Sequence, residues 1–163
     1  MIFAGTISLP EEVFELILEY SARSLKMHGF KTILFLGDSG GNQDSQAKVA
    51  EKLNNEWRST GVATYHISDY YSGNGQVQWL QEQGYSDREI GNHAGIRDTS
   101  ELLAIRPDGV RLNQLRADAS QYSEATGSNG DPTLASAEIG RVMLEMKISA
   151  ALRQIYLLQR HSQ

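Results

Sequence analysis

The sequence predicts an α/β fold, and three observations carry that expectation. Residues 33–36, Ile-Leu-Phe-Leu, form a continuous apolar run of the kind shown by buried parallel strands. A turn with three glycines follows, Gly37-Asp38-Ser39-Gly40-Gly41-Asn42, and a helical pattern begins just beyond it. A second strand-like run, 62–67, comes after that helix, so 33–67 has the length of one β-α-β crossover. Strand, glycine turn and helix bring backbone amides and one exposed side chain to the carboxyl edge of a sheet, which makes Ser39 the first candidate functional residue.

Composition narrows the class. The length of 163 residues fits one domain, and a 40% hydrophobic, 21% charged composition is that of a globular protein with a sizeable core. A net charge of −5 with no basic run argues against nucleic acid as a partner, because phosphate binding needs a basic face. Without cysteine, disulfides, zinc–thiolate sites and thiol nucleophiles are excluded. No apolar stretch reaches membrane-spanning length, so no membrane partner is expected. Met1-Ile2-Phe3-Ala4-Gly5 lacks the pattern of a signal peptide, which makes a cytoplasmic location the default expectation.

Taken in order, residues 1–6 suit a strand end or a docked arm. Ser8-Leu9-Pro10-Glu11 fits a capping box, and Val13, Leu16, Ile17 and Tyr20 supply one apolar helical face, with Gly29 as the stop. A strand over 31–36 follows. Ala47, Ala50, Leu53 and Trp57 mark the face of a second helix that ends near Gly61. Residues 68–75 form a polar aromatic loop, and 76–83 a short helix carrying Trp79. Asp98-Thr99-Ser100-Glu101 fits a second capping box, with its helix running to Ile105 before Arg106-Pro107. Residues 111–129 show little periodicity and suit a surface loop. Asp131-Pro132 opens the longest expected helix, with Ile139, Val142, Met143, Met146 and Ala150 as its stripe, fading near Arg160. No repeat or linker divides the chain, which is expected to be a single domain over 1–163.

The glycine turn supports several chemistries. Gly37-Asp38-Ser39-Gly40-Gly41 matches the G-x-S-x-G nucleophile elbow, with Asp69 and His93 as later triad partners. It also matches the G-D-S-G-G motif of chymotrypsin-like proteases, but those are β-barrels whose His and Asp precede the serine. A phosphate-binding loop lacks its G-x-x-x-x-G-K-[ST] pattern. The plainest reading is a turn in which Ser39 and Asn42 bond the backbone and cap the helix.

A second cluster shifts that balance. His93-Ala94-Gly95 with Asp98-Thr99-Ser100, Gly-Gly-Asn after a strand, Gly5-Thr6-Ile7-Ser8-Leu9, Arg106-Pro107-Asp108 and Gly130-Asp131-Pro132 follow one another in the order and spacing of the creatininase family. The chain resembles that family over nearly its whole length. The resemblance implies a three-layer α/β/α sandwich with a largely parallel sheet. It also implies metal-dependent hydrolysis of a non-peptide C–N bond, such as a cyclic amide, a small-molecule amide substrate and a homo-oligomer. Zn or Mn is the implied cofactor. His93 falls on the family's catalytic histidine, and Asp98 on an acidic metal-ligand position usually held by Glu.

Departures from the family pattern are equally specific. The family's E-x-H segment occurs nowhere in this chain, and the family's first strand and helix are expected to be absent. The turn usually reads N-G-H-G-G-N, so Ser39 stands where a histidine ligand is usual. Asp98, with His93 or Asp38, leaves fewer than the three or four donors a catalytic divalent site needs. Three readings therefore stay open: an amidohydrolase with an impaired or rearranged centre, a metal-free binding or assembly relative, and a serine hydrolase using Ser39 with His93.

Overall fold

A computed structural model describes residues 7–116 and 127–160, so the expectation for residues 1–6 and most of the loop expected over 111–129 lie outside the described residues. The described residues divide into two units, one from Ile7 with Gly75–Ser149 and the other from Ser8–Asn74 with 150–160.

In the second of these, the predicted crossover is present. Strand β1 (Thr32–Phe35) pairs in parallel with β2 (Ala63–His66), in the register Thr32↔Ala63 to Phe35↔His66. Helix α2 (Gln43–Trp57) connects them and buries Val49, Ala50, Leu53 and Trp57 against Ile33, Phe35 and Val62. Asn54 locks α2 to β2: its Nδ2 donates to the Thr64 carbonyl at 2.7 Å, and its Oδ1 accepts from the Thr64 amide at 2.8 Å. Ala47 is exposed, and Ser45 and Gln46 are buried in its place. Among the described residues the sheet has two strands, so the fold is mixed α/β with a parallel pair.

Helix α1 (Glu11–Met27) ends as expected, with Gly29 in the left-handed region at φ 91° and the Phe30 amide bonded to the Leu25 carbonyl at 3.1 Å. Two other expectations fail. Its N-cap is Pro10 with no side-chain cap, and Glu11 instead accepts from Ser45 Oγ at 3.2 Å. The apolar face is also reversed: Val13, Leu16, Ile17 and Tyr20 are 40–64% exposed. The inward face carries Leu18, Ala22 and an ion-pair ladder onto α2, in which Glu19 joins Arg23 and Lys52, and Arg23 also joins Glu56. The helical period is present, but ion pairs rather than the apolar stripe meet α2.

The other unit gathers short helices around Leu80, Ile90, Ile96 and Met143. They are α3 (Gln76–Glu82), carrying a partly buried Trp79, α4 (Asp87–Ile90) and α5 (Ile96–Ile105), followed by the first half of α6 (Ala137–Arg160). Sequence reading missed α4, although Ser86 and Glu89 form the capping box that marks its start. Asp131-Pro132 caps only a 3-10 turn over Pro132–Leu134. The helix proper begins at Ala137, where Ser136 Oγ accepts the Ile139 amide at 3.2 Å. On α6 Met143 and Ala150 are buried, Val142 is not, and Lys147 takes a buried position instead.

Lys147 is buried because it is paired. Its Nζ lies 2.6 Å from Glu101 Oε2, with side-chain exposures of 4% and 11%. Gln76 Nε2 donates to Glu101 Oε1 at 2.6 Å and to the Met143 carbonyl at 2.9 Å. This network joins α3, α5 and α6. Gly140 completes the α5–α6 contact, since a Cβ there would lie 1.9 Å from the Ser100 carbonyl oxygen.

Candidate functional site

Two places hold the candidate residues, one in each unit. Asp38 and Ser39 lie in the glycine turn between β1 and α2, and both are exposed. Neither Ser39 nor Asn42 caps the helix with its side chain, contrary to the plainest sequence reading. Gln43 holds the turn instead. Its Nε2 donates to the carbonyls of Gly37 and Ser39, each at 2.9 Å, and its Oε1 lies 2.8 Å from His66 Nε2. Because the amide nitrogen is committed to two carbonyls, the oxygen must accept, and His66 Nε2 carries the proton. Ser39 has φ −139° and ψ 135°, an ordinary extended conformation without the strain that marks a nucleophile elbow.

His66 falls within the strand-like run 62–67. As the last residue of β2 and the register partner of Phe35, it shares the carboxyl edge with the turn. That position was legible from the β-α-β reading. Gln154 steadies the following loop, accepting the Asp69 amide at 2.9 Å and donating to Ser68 Oγ at 3.2 Å. Partial burial holds the His66 imidazole below its usual range, and Asp44 pulls weakly the other way.

The second place is the loop preceding α5. His93 and Asn129 form an isolated antiparallel bridge, with the Asn129 amide donating to the His93 carbonyl at 2.7 Å. Asn129 Oδ1 also accepts the Asn92 amide at 3.0 Å. The approach is close enough to require glycine at Gly91, where φ is 62° and a Cβ would sit 2.0 Å from the Asn129 carbonyl oxygen. Ala94 adopts φ 49°, a conformation uncommon outside glycine, asparagine and aspartate.

Asp98 holds that loop. Helix α5 starts two residues before the expected cap, with Gly95 at its N-cap, so Asp98 lies in the first turn rather than at the cap. Its Oδ2 reaches back to accept the Ala94 amide at 2.6 Å, while Thr99 Oγ1 donates to the Ala94 carbonyl at 3.3 Å. The other Asp98 oxygen has no partner among the described residues. Asp98 lines a cavity of about 420 Å³ together with Leu102, Val110, Pro132, Arg111 and Arg116. That volume is in the range of small-molecule sites. The two arginines fall in a stretch read from sequence only as loop, with no motif to mark them.

Metal chemistry is tested by the donors present. Among the described residues no three His, Asp or Glu side chains come together as a metal site would require. Asp98 has already given one oxygen to a backbone amide. The described residues do not fit a two-metal centre. No helix among them is long and apolar enough to cross a membrane.

Comparison with known proteins gives a consistent picture. A family model described as creatinine amidohydrolase, Creatininase, matches residues 1–155. Among solved structures, a tryptophan-to-phenylalanine mutant creatininase is 23% identical with a TM-score of 0.73, covering 94% of this chain and 66% of its own. A structure described as "Creatininase Mn" is 22% identical with a TM-score of 0.72 and the same coverage. A mutant creatininase complexed with creatine is 23% identical with a TM-score of 0.69, covering 94% of this chain and 67% of its own. A further mutant is described as a Zn-Zn type. The chain thus spans about two thirds of the length of the creatininases it matches, and at these identities the likeness shows the fold. No curated protein matches the sequence. With the family model covering all but the last eight residues, the chain belongs to the creatininase family.

Proposed function

We propose that this chain binds a small amide in the cavity beside Asp98, as a creatininase-family domain whose described residues do not by themselves assemble a two-metal centre. One observation carries the reading. The loop carrying His93-Ala94-Gly95 and Asp98-Thr99-Ser100 is braced by Asp98, which spends one oxygen on the Ala94 amide and lines a cavity of about 420 Å³. In this reading the free Asp98 oxygen accepts an N–H of the ligand, and Leu102, Val110 and Pro132 enclose its less polar body. His93, on the same loop, is the candidate for proton transfer, and Ser39 and Asp38 are candidates on the glycine turn. Hydrolysis of a non-peptide C–N bond would need donors beyond Asp98, Asp38 and His93 if it follows the metal-dependent route of the family.

The three-layer sandwich, the single domain over 1–163 and a homo-oligomer belong to the same proposal, supported by family membership and the parallel β1–β2 pair. Light scattering checks the last of these, and a monomer would contradict it.

The binding claim is tested by titrating the chain with creatinine and following backbone amide resonances. Saturable shifts confined to residues 94–99 and 109–116 are expected. Absence of shifts there at 10 mM ligand, on the order of the weakest specific affinities, would overturn the reading.

A further inference from the structure

We propose that the Asp98 cavity selects ligands bearing an oxyanion, carboxylate or phosphate, which Arg111 and Arg116 bind; this rests on the reading of the cavity as a small-amide site. Both arginines line the cavity and both are exposed. Their nearest cationic neighbour in the chain, Arg106, is committed to Asp108, with Nε–Oδ1 at 3.5 Å. Among the described residues no carboxylate pairs with Arg111 or Arg116. The Arg111 side chain makes no hydrogen bond there. Arg116 is oriented rather than neutralised: its Nη1 donates to the carbonyls of Leu115 at 2.6 Å and Asn113 at 3.2 Å, which leaves its other terminal nitrogen for a ligand.

The distribution of charge around the cavity makes the pair informative. The chain carries a net charge of −5, yet among the described residues lining this cavity there are two arginines against one carboxylate, Asp98, that is itself half engaged. Guanidinium groups present several donors in a fixed plane that matches the oxygens of a carboxylate or phosphate. With Asp98 accepting N–H and the arginines donating to oxygen, the cavity suits a ligand with an N–H-bearing amide at one end and an anion at the other. Leu102, Val110 and Pro132 add apolar lining to the same cavity. Such a ligand is fixed in one orientation, because reversal would set its anion against Asp98 and its N–H against the guanidinium groups.

Three probes sharing one acetamide group separate the possibilities: N-acetylglycine, N-acetylethanolamine phosphate, and neutral N-acetylglycinamide. Calorimetric titration of the full chain is expected to give at least ten-fold tighter binding for one anionic probe than for the neutral one, a typical effect of a charge-assisted hydrogen bond. Whichever anion is preferred identifies the class. In the double variant Arg111→Gln/Arg116→Gln the three affinities should converge, with an unchanged circular dichroism spectrum because both residues are exposed. Equal affinities in the unmodified chain, or an anion preference that survives the double variant, would overturn the proposal while leaving the small-amide reading standing. Inorganic phosphate binding as tightly as the acetamide probes, and losing its affinity in the double variant, would support the oxyanion site and remove the amide reading. Failure of all four compounds to bind would overturn both.

Discussion

The molecule contains two glycine-rich loops of similar composition that are built in opposite ways. In the loop preceding α5, backbone meets backbone: Gly91 lies against the Asn129 carbonyl with φ 62°, and Gly130, at φ 111°, lies against Ile90 and Gly91. In the turn between β1 and α2, none of Gly37, Gly40 and Gly41 has a positive φ, and the brace is a side chain, Gln43. Around Gly41 a Cβ would find open space. The difference shows that a glycine motif in sequence does not reveal which kind of constraint it reports. The first loop needs glycine where backbone meets backbone. In the second, Gly37 and Gly40 lie against the side chains of Gln46 and Tyr71, and Gln43, outside the motif, braces the turn.

The sharpest way to break that contrast is a matched pair of alanine substitutions. Gly91→Ala forces a Cβ onto a backbone carbonyl and a left-handed residue, and is expected to cost about 4 kcal/mol in urea unfolding. Gly41→Ala should stay within about 0.5 kcal/mol. Similar costs at the two positions would refute the distinction.

Next in size is the network beneath the first loop. Lys147→Met leaves Glu101 buried without its cation and should cost about 3 kcal/mol, whereas Lys147→Met with Glu101→Leu should recover part of the loss. If the single variant is neutral, the pair does not anchor α5. On the other side, Gln43→Ala removes the two donations to the turn and the His66 bond, an expected loss of about 1–2 kcal/mol with faster amide exchange at 39–42. Unchanged exchange would mean that the turn holds its shape without Gln43.

The smallest effect is a pH dependence. Burial keeps the folded His66 below the usual imidazole value of 6.5. Above pH 6.5 both folded and unfolded chains hold it neutral. As the pH falls from 6.5 toward the lower folded value, the unfolded chain takes up the proton first, so stability is lost in that window. Thermal melts between pH 7.5 and 5 should show this loss, reduced in His66→Gln; an identical slope in that variant would assign it to other groups.

Much of the crossover was legible because strand runs and a helical pattern at the right spacing admit few alternatives. The parallel pair, α2 and the end of α1 followed from local signals. The inward face of α1 did not, because the apolar stripe Val13–Leu16–Ile17–Tyr20 gives the stronger signal, while the contact with α2 uses Glu19 and Arg23, whose partners lie 33 residues away. Lys147 was hidden for the same reason: a lysine reads as surface until its buried carboxylate is known. At the candidate site, His93, Asp98, Asp38 and Ser39 were visible as motif residues. Gln43, Arg111 and Arg116 were not, since no spacing rule marks a glutamine as a brace or a loop arginine as a cavity wall. Ser39 was visible only as a motif residue, and the structure adds that it is exposed and extended.

The central claim is that the cavity beside Asp98 binds its ligand with this chain's own side chains. The most direct measurement is the dissociation constant of creatinine, taken once with the chain stripped by chelator and once with added Zn or Mn. The account predicts values equal within about two-fold, less than one metal per chain, and at least ten-fold weaker binding in Asp98→Asn. Binding that appears only with metal, at two equivalents per chain, would contradict it.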